Sequence, residues 1–103
     1  MSDVSLHVSD VGTGIVRTII DEDGNVVDCS TATIKTITFK KPDGTVIVKD
    51  ATLVSSGVDG KIRYVTVAGF LDQPGTWLTQ GFVTRPDGSW HSDVQQMSVE
   101  DNL

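Results

Sequence analysis

The pentapeptide Lys41-Pro42-Asp43-Gly44-Thr45 has a near copy in Arg85-Pro86-Asp87-Gly88-Ser89, and each lies between runs of alternating apolar and polar residues. Proline sets φ at the first turn position, and aspartate caps the turn through its side chain. Glycine supplies the left-handed conformation that closes the turn. Both pentapeptides therefore predict β-hairpin tips, with positive φ at Gly44 and Gly88.

Short strands separated by turns account for the rest of the 103 residues, which we expect to form one domain, residues 1–103. The predicted strands are 4–8, 15–20, 26–27, 33–40, 45–49 with a possible extension at 51–54, 61–67, 76–84 and 90–99. Their spacing of about 8–12 residues is typical of an all-β sandwich or barrel of seven or eight antiparallel strands. Only residues 67–71 have a pattern compatible with one helical turn.

Alternation within the predicted strands indicates which side chains face the core. Ile37 and Phe39 fall on one side of their strand, and Ile62 and Tyr64 on one side of theirs, so we expect all four to point inward. Trp77 follows a Pro-Gly corner and is predicted to pack in the core or at a strand corner.

The bulk composition argues against several classes of partner. A net charge of −6 with scattered basic residues disfavours nucleic-acid binding, which needs clustered lysine and arginine. No apolar run reaches the roughly 18 residues of a membrane span, and the start of the chain lacks the features of a signal peptide. Cys29, the single cysteine, is expected to be a small apolar residue in a protein made in a reducing cytoplasm.

No pattern of residues indicates catalysis, a metal or a cofactor. The acidic turn at residues 21–25 superficially resembles a calcium loop, but its glycine comes fourth and Ala32 occupies the twelfth position, where an acid is required. His7 and His91 have no second ligand at helical spacing. Nucleophile and phosphate-binding motifs are missing. The sequence therefore predicts a protein that is not an enzyme and binds no cofactor.

Two regions are candidates for a protein interface. Trp90 with His91 follows the second hairpin tip, where Trp90 either contacts a partner or covers the open end of the sandwich. Residues 1–14 form either a docking arm or an ordinary first strand, because the strand 4–8 precedes two glycines. The interface residues predicted in this segment are Val4, Leu6 and Val8.

Six short elements follow one another along nearly the whole chain. They are Asp23-Gly24-Asn25-Val26-Val27-Asp28, Ser30-Thr31-Ala32-Thr33, Phe39-Lys40-Lys41-Pro42-Asp43-Gly44-Thr45, Asp59-Gly60-Lys61-Ile62-Arg63-Tyr64, Asp72-Gln73-Pro74-Gly75-Thr76-Trp77 and Pro86-Asp87-Gly88. In this order they resemble the N-terminal immunoglobulin-like domain of the tailed-phage baseplate upper protein family. The resemblance implies an antiparallel immunoglobulin-like β-sandwich and a structural protein of a bacteriophage virion. Cys29 departs from it, because such domains more often carry an aliphatic residue there.

The function implied by the resemblance is an attachment or accessory module of the tail or baseplate. Its implied partners are other virion proteins, and it is implied to be a symmetric homo-oligomer or a multi-copy component, assembled in the host cytoplasm. The chain ends at Leu103 without the downstream shaft or receptor-binding region of the larger proteins, as a docking module alone would. A capsid decoration or head-fibre protein is the nearest alternative. A carbohydrate- or host-surface-binding module is the alternative of another class.

Overall fold

A computed structural model describes residues 5–101 of the chain, with side chains from Leu6 onward. The described residues contain nine strands and no helix. The strands are β1 (Ser5–His7), β2 (Gly14–Thr18), β3 (Ile34–Lys40), β4 (Val46–Asp50), β5 (Thr52–Leu53), β6 (Lys61–Val65), β7 (Gly75–Arg85), β8 (Gly88–His91) and β9 (Gln95–Glu100).

The strands form two sheets that pack face to face. The larger sheet has the order β1-β9-β7-β3-β4, and β8 pairs with the second half of β7. The smaller sheet has the order β2-β6-β5. All pairs are antiparallel except β1 with β9, which is parallel. The predicted all-β sandwich is therefore confirmed.

The core lies between the sheets and is built by alternation along each strand. Ile37 and Phe39 on β3 and Ile62 on β6 are fully buried, and Tyr64 packs against them half-buried, as predicted. Trp77 is also fully buried, and its indole Nε1 donates to the carbonyl of Gln73 over 3.0 Å. Aromatic rings of Phe39, Tyr64, Phe70 and Trp77 contact one another with centroid distances of 4.8–5.7 Å.

Three of the predicted elements differ from the observed ones. The predicted strand 90–99 is two strands, because the chain leaves β7 at residues 92–94 and rejoins its other half as β9. Residues 51–54 do not extend β4, since β5 pairs with β6 in the smaller sheet. Residues 68–70 form a turn rather than a helix. The described residues therefore hold nine strands where seven or eight were expected.

The two Pro-Asp-Gly turns have different geometries. In the first, Gly44 N–H donates to the Lys41 carbonyl over 2.9 Å, Lys41 N–H donates to Thr45 over 2.8 Å, and Gly44 has a φ of 93°. In the second, Arg85 pairs directly with Gly88, and Gly88 does not have a positive φ. The predicted left-handed glycine is confirmed at Gly44 and wrong at Gly88, because the second loop is one residue shorter.

Candidate docking surface

The side of the larger sheet that faces away from the core carries several exposed apolar side chains. Its apolar members are Ile34 on β3, Val46 and Val48 on β4, Leu78 and Phe82 on β7, and Val94 before β9. Four of them are about half exposed or more: Ile34, Val46, Val48 and Val94. Scattered apolar residues are common on protein surfaces, but a contiguous set marks an interaction site. We use the name outer face for the six apolar residues together with Thr36, Thr38 and Gln80.

Two shallow depressions shape the outer face. Thr38 and Gln80 lie between them and contribute to both. The first depression extends to Val46, Leu78 and Val94, and it is also lined by Lys40 and Thr79. The second extends to Ile34, Val48, Phe82 and His91. A partner side chain can therefore enter either depression while the threonine hydroxyls and the glutamine amide between them remain able to hydrogen bond.

Charges lie at the margins of the outer face rather than at its centre. The strand register places the side chains of Lys40, Asp50 and Glu100 on this side, each at the last residue of its strand. The protein has a net charge of −6, so an uncharged centre is a local departure from the rest of the chain. Depletion of charge at the centre is the compositional feature that distinguishes protein interfaces.

The predicted interface residues are not brought together. His91 lies on the outer face, and its ring packs against that of Phe82 with centroids 4.7 Å apart and an angle of 43° between the ring planes. Trp90 points to the opposite side of β8, where it packs half-buried against the core. Leu6 is 3% exposed and belongs to the core, and Val8 packs against it half-buried. Val4 lies outside the described residues.

The start of the chain pairs with its own domain in the described part. Ser5 to His7 form β1 alongside Ser98 to Glu100 of β9, and Val8 N–H continues the pairing to the Glu100 carbonyl over 2.9 Å. This is the arrangement of a first strand. A docking role for the segment as a whole stays a prediction.

Trp90 and Arg85 form a fixed corner at one end of the sandwich. The Arg85 guanidinium lies over the Trp90 indole, 4.5 Å from the ring centre. Arg85 also donates to both carboxylate oxygens of Asp87, over 3.0 and 2.8 Å, and to the Asp28 carbonyl over 3.0 Å. The hydrogen bonds from Arg85 lower the pKa of Asp87 below its ordinary value. Trp90 therefore covers this end, and one face of its ring is already occupied.

The acidic turn and Cys29, which were considered as metal ligands, make contacts within the domain. Asp21 Oδ1 in the acidic turn accepts the backbone N–H groups of Asp23 and Asn25, over 3.0 and 2.9 Å. Cys29 is fully buried, and burial raises the pKa of its thiol. Within residues 5–101 no group of three or more metal-ligating side chains comes together. In the same range no helix is long and apolar enough to cross a membrane.

Two runs of consecutive apolar residues in the sequence indicate the outer face, although it was not predicted from them. Residues 46–48 and 82–83 are consecutive apolar residues, so their strands must place apolar side chains on both faces of the sheet. Such a pattern is typical of strands covered on both sides. The described structure covers only the inner side, which leaves the other side exposed.

The described residues form an all-β sandwich with an exposed apolar face on its larger sheet, an architecture common among structural and binding domains. The family model of the BppU N-terminal domain, that is, the baseplate upper protein N-terminal domain, matches residues 1–103, the whole chain. The chain therefore belongs to this family, as the resemblance predicted. It is accordingly a structural protein of a phage baseplate or tail, part of the virion and in contact with other virion proteins. No curated protein matches the chain.

Proposed function

We propose that the chain is an attachment or accessory module of the baseplate or tail, which docks on a neighbouring virion protein through its outer face. It acts by binding and not by catalysis, after assembly in the host cytoplasm. The observation that carries this proposal is the uncharged apolar centre of the outer face, on a protein whose net charge is −6. Family membership identifies the class of partner, which is another protein of the same particle.

Burial of apolar surface favours docking through this face. Ile34 and Val94 are 48% and 57% exposed, so covering them removes apolar surface from water. Each fully covered aliphatic side chain contributes about 1.5–3 kcal/mol. The rival glycan-binding function needs a free aromatic platform. It is not favoured here, because Trp77 is buried and one face of the Trp90 ring is covered by Arg85.

The test is incorporation of variants into purified particles, measured by quantitative mass spectrometry. Ile34→Glu places a charge on the outer face, and Val65→Glu places one on the outer side of the smaller sheet at similar exposure. We expect Ile34→Glu to lose incorporation and Val65→Glu to keep it, while both fold by circular dichroism. Normal incorporation of Ile34→Glu would show that another surface docks.

The number of copies per particle tests the location. A baseplate or tail module is expected at a few to a few dozen copies, since tail structures repeat a small symmetric unit. A capsid decoration protein would be present in hundreds, and such a count would replace the attachment role proposed here.

A further inference from the structure

The free edge of the larger sheet at β4 presents unpaired backbone groups. Lys41 N–H donates to Thr45 at one end of the β3–β4 ladder, and Ala51 N–H donates to Lys35 at the other, both over 2.8 Å. In an antiparallel pair, hydrogen-bonded residues alternate with residues whose groups point away. The odd-numbered residues of β4 therefore bond to β3, and the even-numbered residues point to the open edge.

Three consecutive even positions, Val46, Val48 and Asp50, form this open row. No hydrogen bond among the described residues involves the outward N–H or C=O of these three positions. The side chains of Val46 and Val48 are each 58% exposed. An edge of this kind, without proline and with exposed β-branched residues, is a template for pairing with another strand.

The comparable edge of the smaller sheet has one of its outward carbonyl groups capped by a side chain. On β2, a strand of the same length, the Arg17 guanidinium Nη1 donates to the Val16 carbonyl over 2.6 Å. The same side chain is anchored in the interior by a hydrogen bond from its Nε to Thr79 Oγ1. A buried arginine thus caps the central outward carbonyl of β2, and the described residues provide no such contact at the β4 edge.

We infer that β4 pairs with β4 of a second copy of this chain, antiparallel about a two-fold axis through Val48, to make one continuous sheet across two molecules. The row of open positions is symmetric about its centre, so Val48 meets Val48 of the second copy. Val46 then meets Asp50 of the second copy, and Asp50 meets its Val46. Every outward N–H and C=O of the row gains a partner in this single register.

Charge complementarity selects a second copy as the partner. Lys40 on β3 is paired with Val46, and the two-fold register places Asp50 of the second copy on the other side of that valine. Lys40 and that carboxylate then lie on the same face of the continuous sheet. Their strands are two inter-strand spacings apart, or about 9.6 Å between backbones, and the long lysine side chain can span this distance. The symmetry repeats the pair, so each dimer gains two such contacts.

The remaining charge on β4 does not oppose this pairing. Lys49 points to the inner side, and its Nζ lies 5.9 Å from the centre of the Phe70 ring in its own domain. In the dimer its direct neighbour across the edge is Ile47 of the second copy, so no like charges stand opposite one another. The dimer therefore forms without uncovering any of the described core.

The first test measures the mass of the purified 103-residue chain by light scattering after size exclusion, from micromolar to millimolar concentration. We expect the mass to rise from 11.0 kDa to twice that value with concentration. Val48→Pro removes two hydrogen bonds per dimer and weakens association at least about tenfold. The fold is kept because the Val48 N–H points away from β3. Val16→Pro makes the same change on the β2 edge and leaves association unchanged.

The second test distinguishes a second copy from any other occupant. Lys40→Glu places like charges together and weakens association, and Lys40→Glu with Asp50→Lys restores it, because the pair is then reversed on both molecules. A monomer at every concentration overturns the inference, as does a dimer that Val48→Pro leaves intact. Growth beyond a dimer also overturns it, since a two-fold contact closes. All of these measurements use the purified protein. A negative result would therefore not contradict the proposed role on the particle.

Discussion

Gly44 and Gly88 hold the same place in two nearly identical pentapeptides, and they are required for different reasons. Gly44 has a φ of 93° with open space around an added Cβ. Gly88 lacks positive φ, but an added Cβ would lie 2.9 Å from Cη2 of Trp90. At Gly44 the positive φ favours glycine. At Gly88 the nearby Trp90 indole leaves little room for a side chain.

Alanine substitutions are expected to separate the two reasons. Gly44→Ala should lower the free energy of unfolding by about 1–2 kcal/mol through left-handed strain, with tryptophan fluorescence unchanged. Gly88→Ala should displace the Trp90 ring from Arg85 and alter the fluorescence spectrum and near-UV circular dichroism. Urea unfolding followed by both signals checks this. An unchanged spectrum in Gly88→Ala would show that the ring is not held as described.

At the scale of elements, the first hairpin tip is tied to the corner that precedes β7. Asp43 accepts the Thr45 N–H within the turn over 2.9 Å and the Gln73 Nε2 amide across the molecule over 2.8 Å. The backbone hydrogen bond from Thr45 and then that of Gln73 lower the pKa of Asp43. The neighbouring Lys41 forms an ion pair with Asp72 over 2.9 Å, which makes a second link between the same elements.

A pH dependence of stability follows from Asp43. Because its pKa is lower in the folded state than in the unfolded state, its contribution is present above about pH 4 and lost as the pH falls through the folded value. Asp43→Asn should therefore flatten the fall in urea midpoint below that pH. Glu22→Gln removes an exposed acid that makes no described contact and serves as the control. Equal acid-side slopes in Asp43→Asn and the parent chain would contradict the link.

At the scale of the whole molecule, Gly81 sets how closely the two sheets approach. A Cβ at Gly81, on β7, would lie 3.0 Å from Ile19 Cδ1, 3.2 Å from Ile62 Cδ1 and 3.3 Å from Arg17 Cβ, all belonging to the opposite side of the core. These side chains come from the segment 17–19 and from β6 and are themselves buried. An added methyl group therefore meets three buried side chains at once, and each of them must give by a few tenths of an ångström.

Gly81→Ala should therefore cost about 1–3 kcal/mol in the free energy of unfolding through overpacking. Gly14→Ala is the matched control, because its added Cβ also lies 3.0 Å from its nearest neighbour, but that neighbour is Cδ of the flexible, half-buried Arg63. We expect Gly14→Ala to change stability by less than about 0.5 kcal/mol. Chemical denaturation measures both, and equal losses would show that packing between the sheets does not distinguish these sites.

The sequence by itself determined the all-β class, the inward faces of β3 and β6, the buried Trp77 and the family, because these depend on local alternation and turn chemistry. Tertiary structure alone decided three further features: the transfer of β5 to the smaller sheet, the division of 90–99 into β8 and β9, and the packing of Trp90 rather than His91 against the core. It also decided which apolar side chains remain uncovered. Alternation assigns a residue to a face, but only the packing of the second sheet determines which face becomes the core and which strand edge stays open.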